Sequence, residues 1–100
     1  MIQHSEYLGR KRLKMIKTRI LEILNSHVGN LFSDYTIYII EHQIMGVLTD
    51  AKHNYNYDYN IIRIYKNWLI INVSSFNKIT TYELKFDKHS GEVKFNERTQ

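Results

Sequence analysis

No cysteine and no proline occur in this chain. The first absence excludes a disulfide framework, thiolate zinc sites and a cysteine nucleophile, and it fits a reducing compartment. The second excludes polyproline linkers. Glycine is scarce at four residues, so permissive hinges are few. Long apolar runs are missing too. Stretches such as Ile37–Ile40 and Trp68–Ile71 fall far short of the ~20 residues that a membrane-spanning helix needs. No apolar stretch with a small-residue cleavage site follows the early charges, so no secretory leader is expected and a cytoplasmic protein is.

What is present describes one globular domain over residues 1–100. The chain is 43% hydrophobic and 24% charged, a balance that argues against disorder. Phe, Tyr, Met, Ile, Asn and Lys make up nearly half of it, and Gly, Ala, Arg and Pro about a tenth. The first set uses AT-rich codons. The expected source is a low-GC bacterium, its phage or a mobile element.

Residues 5–28 read as a helix. Leu13, Ile16, Ile20, Ile23 and Leu24 recur at three- and four-residue steps, Ser5 with Glu6 suits the start, and Gly29-Asn30 suits the stop. Residues 34–52 contain "YTIYII", a strand-like composition, yet Ile37, Ile40, Ile44, Val47 and Ala51 follow helical spacing. The spacing predicts a helix with Ser33 or Asp34 as cap. From Tyr57 the period changes to two, which predicts strands over about 57–66, 68–75, 79–87 and 92–97. Lys66-Asn67 suits a tight turn, and "DKHSGE" suits a hairpin loop with Gly91 at positive φ. The expected fold is α+β, with two N-terminal helices packed on one face of a four-stranded antiparallel meander.

Alternation then assigns faces. Ile62 and Ile64 are expected in the core with Leu69, Ile71, Val73, Tyr82, Leu84, Phe86, Val93 and Phe95. The opposite face would collect Tyr57, Tyr59, Arg63 and Tyr65, joined by Trp68 across the turn. Such a column is larger than the apolar patch of an ordinary monomer surface and reads as a partner face, for nucleobases, for a protein or for oligomer contacts. The alternative is that another element covers it and the tyrosines form a lid on the core.

The first helix carries Arg10, Lys11, Arg12, Lys14, Lys17 and Arg19 with no acid among them. A helix built only for solubility usually mixes glutamate with lysine. The run therefore predicts contact with nucleic acid or an acidic protein surface. Membrane adsorption is not expected, because the apolar stripe is needed for the core. His4, His27, His42, His53 and His89 show no metal-ligand pairing, and glycine-rich phosphate loops and hydrolase motifs are absent. No metal, no cofactor and no catalytic residue is expected.

Two helices followed by an antiparallel meander with a basic surface resembles, in element order, the RelE/ParE-type toxins. The resemblance implies a small metal-independent ribonuclease. Its leading strand would have to come from Met1–His4, and its C-terminal basic cluster corresponds only to Lys94 and Arg98. The leading expectation is a small basic non-catalytic binding protein, acting on nucleic acid or inside a nucleic-acid-processing complex. The alternatives are a protein-interaction module, such as an inhibitor or accessory subunit, and the ribonuclease.

Overall fold

The computed structural model describes residues 4–27, 29, 32–75 and 77–100, with side chains from residue 11 onward. Helix α1 (His4–Ser26) and helix α2 (Asp34–Tyr55) precede strands β1 (Asp58–Ile64), β2 (Trp68–Ser75), β3 (Lys78–Phe86) and β4 (Val93–Thr99). The strands form one antiparallel sheet in the order β1-β2-β3-β4. The expected α+β layout is observed. Ser5 lies within α1 and not ahead of it. The side chains of Ser5 and Glu6, like Asn30, lie outside the described residues.

Residues 34–52 are helical because a helix buries their apolar stripe. Ile37, Ile40, Ile44, Val47, Leu48 and Ala51 are all buried along α2. A strand would have put Glu41 and Gln43 on the same face as Ile37 and Ile39. Ser33 caps the start, its Oγ accepting from the Thr36 backbone N–H at 3.2 Å. Asp34 lies in the first turn and Lys52 and His53 in the last, which suits the helix dipole. The helix runs three residues past the predicted end. Asn56 then stops it in the left-handed conformation at φ 60, its N–H donating to the Lys52 carbonyl.

Both helices cover one face of the sheet. Ile16, Ile20 and Leu24 of α1 and the α2 stripe pack on Leu69, Ile71, Val73, Tyr82, Leu84 and Phe86. α1 reaches β4 through Lys17 and Glu97. α2 reaches β1 through polar contacts: the Thr49 and Tyr59 hydroxyls are 2.8 Å apart, Arg63 donates to Glu41, and Lys52 lies 3.6 Å from Asp58. The predicted hairpin over "DKHSGE" is present. Gly91 sits at φ 75, and the Asp87 carboxylate accepts from the backbone N–H groups of His89 and Ser90.

Strand β1 departs from the predicted faces. Ile64 pairs with Trp68, which leaves three residues in the loop and not the two of a Lys66-Asn67 turn. A shift of one residue moves every side chain of a strand to the other face. Tyr59, Ile61 and Arg63 therefore lie opposite Val73, Ile71 and Leu69, on the helix side. Ile62 and Ile64, expected in the core, lie on the outer side with Ile70 and Trp68. The register favours the larger rings, because Tyr57 and Tyr59 bury more apolar surface than Ile62 and Ile64 would. It also gives Tyr59 and Arg63 polar partners on α2.

Candidate nucleic-acid interface

The expected column of Tyr57, Tyr59, Arg63, Tyr65 and Trp68 does not share one surface. Tyr57 is 2% exposed and belongs to the core. Burial pushes its phenol pKa up, partly offset by a hydrogen bond with Ser75. Tyr59 is half-buried, with its hydroxyl against Thr49. Arg63 holds Glu41 through both Nε and Nη2. Tyr59 and Arg63 clamp β1 under α2. Tyr65 is 87% exposed, at the tip of the β1–β2 loop. Trp68 alone faces the outer side of the sheet, with the Lys85 ammonium 4.3 Å from its ring centroid. The missed signal was on α2. Glu41 and Thr49 are eight residues apart, about 12 Å along a helix, which matches the four residues, about 13 Å, from Arg63 to Tyr59 along a strand.

The cations of α1 divide into engaged and free. Arg12 stacks on the Tyr55 ring at 4.7 Å to its centroid, and Lys17 is 3.4 Å from Glu97. Arg19 lines a shallow groove between α1 and α2 that also holds Glu22 and Asp50. Lys11 and Lys14 are exposed, with no carboxylate within 4 Å among the described residues. The side chain of Arg10 lies outside the described residues. Lys14 stands one turn before Lys17, hence on the flank of α1 that meets β4.

The outer face of the sheet can be read in cross-strand rows. One row runs Ile64, Trp68, Lys85, Lys94. The next runs Ile62, Ile70, Glu83, Asn96, and the third Asn60, Asn72, Thr81, Arg98. The face thus grades from apolar at β1 to cationic at β4. In the third row Asn72 Nδ2 donates to Asn60 Oδ1 at 2.8 Å, and Thr81 Oγ1 donates to Asn72 Oδ1 at 2.8 Å. The Trp68 indole N–H is buried and has no hydrogen-bond partner among the described residues.

Three acids of the α2–β1 flank are engaged by cations. Asp34 binds Lys88 and lies 3.9 Å from Lys66, Glu41 binds Arg63, and Asp58 lies 3.6 Å from Lys52. The Lys88 ammonium, hydrogen-bonded to Asp34, holds that carboxyl below the ordinary aspartate range. Among the described residues no three His, Asp or Glu side chains come together as metal ligands, and no helix is long and apolar enough to cross a membrane. No strand precedes α1 among the described residues, where the toxin resemblance requires one; Met1–Gln3 lie outside them. No family model, curated protein or solved structure matches this chain.

Proposed function

We propose that the protein is a small non-catalytic binding protein that acts on nucleic acid or inside a nucleic-acid-processing complex, with the α1–β4 flank as its contact surface. One observation carries the reading. The acids of the α2–β1 flank are engaged with Lys52, Arg63, Lys66 and Lys88, whereas Lys11, Lys14, Lys94 and Arg98 have no carboxylate partner among the described residues. A surface whose cations stay free after folding attracts polyanions. An AT-rich coding sequence fits a phage, a mobile element or a low-GC bacterium as its source.

The test is the salt dependence of binding to mixed-sequence DNA and RNA. Each phosphate contact contributes about 0.7–0.9 to the log–log slope. Lys11→Gln with Lys14→Gln is expected to weaken binding and lower the slope by roughly 1.4–1.8. An unchanged slope overturns the assignment of α1.

A second reading, a protein-interaction module, has its own observation. Tyr35 is 72% and Tyr65 87% exposed. Their chain neighbours Asp34 and Lys66 are 3.9 Å apart, which brings both rings to one end of the molecule. Exposed tyrosines of this kind serve as anchors in protein interfaces.

A further inference from the structure

We propose that the uncovered face of the sheet binds single-stranded nucleic acid, with Trp68 as the stacking platform and Lys85, Lys94 and Arg98 on the phosphates. The inference rests on the nucleic-acid reading above and names both the form of the ligand and the surface it uses. The helices occupy one side of the sheet only, so the other side presents four strands to solvent. That layout suits splayed, unpaired bases, which lie flat on a sheet and stack on its aromatic side chains. A duplex hides its bases and would meet this surface only with its backbone.

The row through Trp68 has the needed order. The indole comes first, Lys85 lies over it, and Lys94 follows on the edge strand. Lys85 is exposed on a long flexible stem, so a base can take its place over the ring while the ammonium turns to a phosphate. Lys94 and Arg98 share the outer side of β4, about 13 Å apart along the strand, and make a cationic track beside the platform. In the row that ends at Arg98, the side-chain amides of Asn60 and Asn72 offer donors and acceptors to base edges.

Charge also separates this ligand from a second copy of the chain. Lys85, Lys94 and Arg98 stand on the face; Glu83 lies among them, Asp87 and Glu92 line the hairpin end beside Lys85 and Lys94, and Asp58 at the far corner is held by Lys52. Lys85, Lys94 and Arg98 have no carboxylate within 4 Å among the described residues, and a protein copy seated over the whole face would desolvate all three, which is costly. A phosphate backbone supplies a charge for each.

The chain contains one tryptophan, so the wild-type protein reports on its own site. The experiment titrates oligothymidylate and oligouridylate of about 15 nucleotides, and a duplex of equal length, into the intact protein at low salt. Indole emission, affinity and sedimentation are followed together. Single strands are expected to bind more tightly than duplex and to quench Trp68. Trp68→Ala is expected to lose roughly tenfold to hundredfold in affinity. Lys94→Gln with Arg98→Gln lies at exposed positions that do not support the core, and it is expected to weaken binding and flatten its salt slope. Binding that leaves the emission and the Lys94/Arg98 variant unchanged, but is lost in the Lys11/Lys14 variant, overturns the sheet site and leaves the α1 reading standing. No binding of any nucleic acid by the wild type overturns both. A stable dimer that Ile70→Lys dissociates assigns the face to a second copy and overturns the inference.

Discussion

The tyrosines of "HNYNYDYN" show how far neighbouring residues of one type can diverge in role. Tyr55 closes α2, Tyr57 is sealed in the core and Tyr59 bonds to Thr49. A few residues on, Tyr65 is almost wholly in solvent, at φ 52 in a loop where Lys66 follows at φ 65. Two consecutive non-glycine residues in the left-handed region carry a conformational cost of about 1 kcal/mol or more each. The chain accepts that cost because the loop length sets which face of β1 is buried. The expected consequence is a sharp contrast between two tyrosines. Tyr57→Ala should cost about 3–5 kcal/mol, as for a large buried ring. Tyr65→Ala should stay within about 0.5 kcal/mol, since it removes an exposed ring without changing the backbone requirement. Urea denaturation of both variants checks this, and equal losses would contradict the faces described.

Among the strands, β1 makes several side-chain polar contacts with α2. Strands β2 and β3 alternate between core and solvent, whereas β4 places Glu97 and β1 places Arg63 on the helix side. A cation there is tolerable only with a partner, and Glu41 supplies it. The Arg63 and Glu41 side chains are 29% and 16% exposed, so the pair is partly screened and weaker than a fully buried one. Arg63→Ala is expected to cost about 1–3 kcal/mol, mostly by leaving Glu41 unpaired. Removing both partners should cost less than the sum of the single losses. A double-mutant cycle by chemical denaturation measures the coupling, expected at about 0.5–2 kcal/mol. Strict additivity would show that the pair does not hold β1 to α2.

At the scale of the molecule, engaged carboxyls tie distant elements together, and the same carboxyls govern pH dependence. Asp34 ties the start of α2 to Lys88 in the β3–β4 hairpin and to Lys66 in the β1–β2 loop. Asp87 accepts the Ser90 and His89 backbone N–H groups, which depress its pKa as Lys88 depresses that of Asp34. A carboxyl whose folded pKa lies below its unfolded value stabilises the fold above the unfolded value. That contribution disappears as the pH falls through the folded pKa. Thermal stability is therefore expected to decline between about pH 5 and pH 2. Asp34→Asn with Asp87→Asn should show a shallower decline over that window in melts recorded across it. A variant that falls as steeply as the wild type would remove these two carboxyls as the cause.

Much of this arrangement is local and was therefore legible in the sequence. The helical stripe from Ile37 to Ala51, the Ser33 cap, the hairpin around Gly91 and the alternation of β2 and β3 each depend on residues within a few positions of one another. Local periodicity and turn chemistry determine the two helices, the four strands and their meander. The face of β1 is different. Its seven residues include apolar side chains on both sides, so alternation alone does not choose between them. The choice depends on a three-residue loop and on Glu41 and Thr49, which lie 22 and 10 residues away from their partners. The free and engaged cations of α1 are separated in the same way. Arg12 and Lys17 look like Lys11 and Lys14 in sequence, and only the packing of α1 beside Tyr55 and Glu97 distinguishes them. Tertiary structure decides such matters because a partner's distance in space is set by the fold and not by its distance along the chain.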